Sequence, residues 1–339
     1  MWARLALMAA CFGTASGALA QAPDALYRGK QVKMVISSGP GGGYDAYARV
    51  LARFLDKYLP GQPTIVNQQM PGAAGMLATN WTYNVAPRDG TVLLATYNAL
   101  IPEPLFGNPA VQFDPLKFEW IGSIGKQQNV CVVWHASAIR SIEDARQREV
   151  TVASTGATGY SATMPLILNA LLGTKFKIVI GYATQEARMA VERGEAEGIC
   201  GLSWSTLMAS NPDWILNGRV RALLQTGSKP RPDLKDVPLL VEQVKTPEDR
   251  KVVELISFSE DLGRPFVMPP GTPKPLVLAM RRAFDAVMKD PGFLEEAKKA
   301  MMEVDPVTGE EMEEIIRRNY AAPKDLVRKA AALLASPAK

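Results

Sequence analysis

Few side chains in this chain are of a type and spacing that could do covalent chemistry. There is one histidine, His135, after an apolar run, and nothing beside it marks a nucleophile, so a Ser-His-Asp or Cys-His arrangement has no support. It reads as a surface or strand-end residue. No Cys/His spacing suits a metal, and no H-E-x-x-H occurs, so neither metal nor cofactor is expected. Asp45 could serve as a general base, but no partner for it is visible. The glycine-rich stretch Ser38-Gly39-Pro40-Gly41-Gly42-Gly43-Tyr44-Asp45 lacks the Gly-Lys-Ser/Thr ending of a P-loop and the G-x-G-x-x-G spacing of a dinucleotide site. What remains is backbone chemistry. Glycines at a strand-to-helix turn let a ligand approach the main chain, and the free N–H groups of the helix start favour an anion.

Two such nests are expected. Gly39–Asp45 with Pro71–Gly75 forms one, and the Thr96–Ala99 loop follows a strand on the same expected edge. Thr155–Ser161 with Tyr182 and Ser203–Thr206 forms the other. The candidate binding residues are Ser38, Gly41, Gly42, Gly43, Tyr44, Asp45, Gly72, Ala73, Ala74, Tyr97 and Asn98 in the first half. In the second they are Thr155, Gly156, Thr158, Gly159, Tyr160, Ser161, Tyr182, Ser203 and Trp204. Two nests in two halves suit a ligand with two polar ends held at a cleft.

The elements that position these loops alternate strand and helix, an α/β pattern. Val32–Ser37, Thr64–Asn67 and Val92–Thr96 read as strands of a first unit, with a helical stripe from Tyr47 to Tyr58 after the glycine turn and a helix from Met76 to Tyr83. A second unit begins near Gly122. Its strands are Val130–Trp134, Val150–Ser154, Phe176–Ile180, Ile199–Leu202 and Val220–Gln225. Ser141 looks like a helix cap, and Pro165 fits a helix only in its first turn. Val252–Phe258 reads as a strand, and the proline-rich Pro265–Pro275 as an ordered, non-helical connection. Helices follow to the end and could return to cover the first unit. The acidic run Glu310–Glu314 reads as a solvated first helical turn.

The 339 residues allow one large or two ordinary domains. With 38 basic against 34 acidic residues and no basic run with interleaved aromatics, nucleic acid is not an expected partner. Arg4, the uncharged Leu5–Leu19 and the Ala18-Leu19-Ala20 cleavage pattern predict an exported protein, with residues 1–20 removed as a signal peptide. Lipid attachment through Cys11 fits poorly, because Cys11 sits inside the apolar stretch. Cys131 and Cys200 could pair in an oxidising compartment, but their apolar settings favour two separate buried thiols.

Six segments in order resemble the receptors of tripartite tricarboxylate transporters, the Bug or TctC family. Pro40-Gly41-Gly42-Gly43-Tyr44-Asp45 with Ala48-Arg49 is similar to their first glycine loop. Asn67 with Pro71-Gly72-Ala73-Ala74-Gly75, Ala86–Thr91, Thr155–Ser161, Gly194–Glu197 and Met268–Pro273 are similar to the segments that follow. The resemblance spans nearly all of the mature chain. It implies a type II-like periplasmic binding protein of two α/β lobes, each a mixed sheet flanked by helices, with the ligand cleft between them. The lobes would comprise residues 21–123 plus 253–339, and 124–252. It implies a small-molecule carboxylate ligand held largely by backbone amides and ordered waters rather than by arginines. It also implies a monomer delivering its ligand in the periplasm to a membrane transporter of one large and one small subunit. Ser37-Ser38, Tyr44 and Gln68-Gln69-Met70 depart from the family pattern at the mouth of the first lobe, so ligand identity does not carry over. A periplasmic sensor feeding a signalling receptor is the alternative within binding proteins. An exported hydrolase or isomerase using Asp45 is the alternative outside them.

Overall fold

The computed structural model describes residues 26–154, 160–182 and 184–335. The chain first builds β1 (Gln31–Ile36), α1 (Gly43–Tyr58), β2 (Thr64–Gln69), α2 (Met76–Asn84), β3 (Val92–Ala95) and β4 (Glu119–Ser123). It then builds β5 (Asn129–Trp134), α3 (Ile142–Gln147), β6 (Val150–Ser154), α4 (Tyr160–Leu172), β7 (Phe176–Ile180), α5 (Thr184–Glu192), β8 (Gly198–Ser203) and α6 (Trp204–Ser210). The same part continues through α7 (Pro212–Leu216), β9 (Val220–Gln225), α8 (Leu240–Gln243) and α9 (Pro247–Ser257). The remainder is β10 (Pro265–Met268), α10 (Lys274–Val287), α11 (Pro291–Lys299), β11 (Val307–Thr308), α12 (Gly309–Tyr320) and α13 (Lys324–Leu334).

Two mixed sheets result. The first runs β11-β4-β10-β3-β1-β2, with β2, β1 and β3 parallel and β10 antiparallel to both its neighbours. The second runs β7-β6-β8-β5-β9, with β6 parallel to β7 and β8, and β5 antiparallel to β8 and β9. The period-two alternation of strand side chains sets the cores. Val32, Met34 and Ile36 of β1 pack under α1 and α10, while Val35 faces the opposite layer with Met76 of α2 and Met312 of α12. In the second sheet Val133, Val150 and Val152 pack with α4, α9 and α13, while Val130, Val132 and Ile199 face α5 and α6. Two segments carry the chain between the sheets, residues 124–128 outward and 258–264 back, and Gln127 N–H donates to the Glu260 carbonyl at 2.8 Å where they meet.

The structure departs from the sequence reading in several places. Val252–Phe258 is not a strand: it lies in and just after α9. Thr246 caps that helix by accepting from Asp249 N–H, Pro247 starts it, and Val252, Val253, Leu255 and Ile256 form its buried stripe. A short run of apolar, partly β-branched residues does not distinguish the two periods. Pro265–Met268 is not a bare connection but β10, inside the first sheet, with Pro265 at the strand's first position. Cys131 and Cys200 are not separate thiols. They are bonded as a disulfide, because the antiparallel register of β5 and β8 sets them directly opposite one another. Pro165 lies past the first described turn of α4. The acidic run is not simply solvated, since Glu310 and Glu313 pair with the buried Arg281. Of the C-terminal helices, α10 and α12 pack on the first sheet, whereas α13 packs against α4 and α9. His135 is exposed just beyond β5. Residues 1–20 lie outside the described residues. Among those described, no helix is long and apolar enough to cross a membrane.

Candidate functional site

The turn before α1 is built as a backbone nest. Gly41 adopts φ +77°, a conformation that favours glycine, and its N–H donates to Asp45 Oδ2 at 2.8 Å. Gly42 is the N-cap and brings no side-chain cap, so the first N–H groups of α1 stay available. Asp45 is buried and fully used: besides Gly41 it accepts from Arg49 Nε at 2.7 Å and Gln69 Nε2 at 2.9 Å. It fixes the turn and ties it to β2, which leaves it poorly suited to act as a general base.

This turn forms one wall of a cavity of ≈ 380 Å³ between the two sheets. Gly41, Gly42, Gly43, Ala46, Tyr47 and Arg264 line it from the first lobe. Gln185 and Arg188 of α5 and Ser205, Thr206 and Ser210 of α6 line it from the second, and Ala300, Met301 and Met302 close it below. Tyr47 holds that floor: its hydroxyl donates to the Glu303 carbonyl at 3.1 Å and accepts from Glu303 N–H at 2.8 Å. Among the described residues no acidic side chain lines the cavity, and two arginines do.

Arg264 is 4% exposed. Its guanidinium lies over the Tyr44 and Tyr47 rings, 4.5 and 5.0 Å from their centroids. Nη1 donates to Gln127 Oε1 and to the Gly263 carbonyl, and Nη2 reaches Thr206 Oγ1 across the cleft at 3.5 Å. Its Nε has no partner among the described residues. Arg188 is 5% exposed, and among the described residues only its Nη1 is bonded, to Asn211 Oδ1 at 2.6 Å and Gln185 Oε1 at 3.2 Å. Burial pushes its pKa below the ordinary arginine value. Neither is within salt-bridge distance of a carboxylate of the described residues. Another buried arginine, Arg281, shows the usual arrangement: it donates to the Trp120 carbonyl and pairs with Glu310 and Glu313. A buried cation without a counter-ion is unfavourable. Two of them at one cavity make a site that an anion would complete.

The other candidate residues divide into groups. Tyr44 turns away from the cavity; burial raises its pKa, and its hydroxyl bonds Asn98 Oδ1, Gln127 Oε1 and the Gly263 carbonyl. Asn98 joins the same knot through Ser259. Ser38 is buried, and the half-buried Tyr97 packs its ring tilted against that of Tyr44, 4.3 Å between centroids. Gly72, Ala73 and Ala74 form a neighbouring turn, all at positive φ, that does not line this cavity. Tyr160 donates to Glu260 at 2.6 Å, and Ser161 bonds Ser154. Tyr182 is half-buried against the second core. Ser203 caps α6, and Trp204 is buried with its indole N–H on Asp233. Thr155, Gly156, Thr158 and Gly159 lie outside the described residues. Sequence reasoning thus named Gly41–Gly43 and, through the Ser203–Thr206 segment, Ser205 and Thr206, but missed Arg264 and Arg188. Arg188 left a signal: it sits between Ala187 and Val191 on the buried stripe of an amphipathic helix, where an apolar residue is expected. Arg264 left little, because the strand that follows it was not recognised.

The profile of the family described as the tripartite tricarboxylate transporter family receptor matches residues 47–331. A UPF0065 protein of Bordetella bronchiseptica is 25% identical over 275 residues, covering 78% of this chain and 75% of that one. A TctC solute-binding protein from Polaromonas superposes with a TM-score of 0.68 at 19% identity, over 89% of this chain and 99% of its own. MatC from Rhodopseudomonas palustris with bound malate superposes with a TM-score of 0.64 at 18% identity, over 88% and 99%. At such identities the two structures speak for the fold, that of a two-lobe solute-binding protein. With six motifs in order and a family match across most of its length, the chain belongs to the tripartite tricarboxylate transporter receptors, the TctC or Bug family.

Proposed function

We propose that this protein is a periplasmic receptor that captures an organic carboxylate between its lobes and delivers it, as a monomer, to a membrane transporter of one large and one small subunit. The observation that carries the reading is the inter-lobe cavity itself. It has a helix N-terminus without a side-chain cap on one wall, the acid-free Arg264 beside it, and no carboxylate of the described residues in the lining. The N–H groups and dipole of α1 favour an anion, and a buried guanidinium binds a carboxylate through charge-assisted hydrogen bonds. The volume is at the small end of the ~300–1,000 Å³ usual for ligand pockets, which suits a small solute. The malate in MatC is a ligand of this kind.

The test is calorimetric titration of ligand-stripped protein with a panel of small carboxylates, paired with mass spectrometry of whatever native protein releases. A binder should raise unfolding stability by about 2.7 kcal/mol at roughly a hundredfold excess over its dissociation constant. If no carboxylate binds and none is released, the proposal fails.

A further inference from the structure

We propose that Arg188 is a second anion anchor, supplied by the second lobe, which selects ligands by the charge at their far end. This rests on the carboxylate reading of the cavity. The helix that carries Arg188 is held without it: Ala187, Ala190 and Val191 bury its apolar face. Among the described residues the Arg188 side chain bonds only the neutral amides of Gln185 and Asn211, both through Nη1. Those two contacts fix the plane of the guanidinium, while among the described residues Nε has no partner and no hydrogen bond engages Nη2. The donors left over are those that bind a carboxylate side-on. Arg281, just as buried but placed away from the cavity, is paired with two glutamates. The contrast argues that Arg188 lacks an acid because the acid belongs to the ligand. Arg264 and the α1 turn stand on the opposite wall, so a solute held there by one carboxylate presents its other end to Arg188.

The experiment compares wild type, Arg188→Gln and Arg188→Lys. Each is titrated with the dicarboxylates from malonate to suberate and with the monocarboxylate of matching chain length. Wild type should favour the best dicarboxylate over its monocarboxylate by roughly ten- to hundredfold, the range of one charge-assisted bond. Arg188→Gln should remove most of that preference by weakening the dicarboxylate far more than the monocarboxylate, with ligand-free melting close to wild type. Arg188→Lys keeps the charge without the planar fork and should fall between them. A purely structural arginine would lower both affinities together or lower melting with the ratio intact, and either result overturns the proposal. Should Arg188→Gln not fold, an unchanged ratio in Arg188→Lys overturns it equally. Failure of wild type to bind any of these acids would instead overturn the carboxylate reading on which the proposal rests.

Discussion

At two buried places where the lobes meet, the chemistry is opposite. At the crossing segments the buried group is an acid, Glu260, and it is well supplied: Asn129 Nδ2 donates at 3.0 Å, Tyr160 at 2.6 Å, and Thr226 Oγ1 also donates. At the cavity the buried groups are bases, Arg264 and Arg188, and no acid of the described residues answers them. A further contact joins the lobes: Arg231 of the second bonds Glu303 of the first at 2.7 Å while also holding Asp233, which in turn accepts from Trp204. A satisfied buried group is a joint. An unsatisfied one costs folding energy unless something else completes it, which is the ground for the ligand site proposed at the cavity.

The largest expected effect breaks or keeps this contrast directly. Arg264→Gln should weaken binding of the native carboxylate by about 2–5 kcal/mol, thirtyfold or more, because it removes one partner of a buried charge pair. Ligand-free melting should move much less. The lost stacking on Tyr44 and Tyr47 is offset by removal of a buried charge that has no counter-ion. Calorimetry beside a melt separates the two. If affinity is kept while melting collapses, Arg264 is a joint residue like Glu260, and the distinction between the two places is lost.

The joint has its own signature in pH. Burial lifts the Glu260 carboxyl from 4.5 to about 7 against the opposing effect of its three donors. The folded protein therefore holds this proton more tightly than the unfolded chain. The stabilisation is fully present below the unfolded value and is lost as pH rises through about 7. Global stability from denaturant melts should fall by roughly 3 kcal/mol across that window, and Glu260→Gln should flatten the slope. A wild-type profile that stays level between pH 5 and 8 would count against a buried, protonatable joint.

How much of this was readable beforehand depends on where the information is stored. The Gly41–Gly43 turn was legible because a glycine cluster between an apolar run and a helical stripe has a local backbone cause, seen in the positive φ of Gly41. The second sheet was legible strand by strand, and Phe176–Ile180 and Val220–Gln225 fall on the expected residues. The disulfide was not, since the pairing of Cys131 with Cys200 is a property of strand register, which brings together residues 69 apart in sequence. Glu260, Arg264 and Arg188 were not, because a charged side chain looks solvated until its neighbours are known. Their place beside the loops makes Tyr44 and Trp204 look like ligand contacts, yet their polar ends bond within the protein. Adjacency in sequence located the loops but not the direction of their side chains.

The smallest expected effect sharpens which face of the Arg264 guanidinium meets the ligand. A Cβ at Gly43 would lie 3.6 Å from Arg264 Nη2 and 3.8 Å from Thr206 Oγ1, ordinary contact distances that displace nothing. Gly43→Ala should therefore fold at least as well as wild type, since Gly43 is already helical and has no positive φ. The added methyl would nonetheless stand against Nη2, on the side that the glycine turn leaves open. A carboxylate bridging the N–H groups of α1 and Nη2 would have to shift, so affinity should drop by roughly threefold to tenfold, about 1 kcal/mol. Gly72→Ala is the matching control. Gly72 has φ +149°, and its added Cβ would crowd Leu77 at 3.1 Å, so that change should lower melting while leaving the affinity of the folded fraction intact. If Gly43→Ala instead binds with full affinity, the ligand meets Arg264 through Nε or from the side of α6, and the anion lies deeper between the lobes than the turn itself.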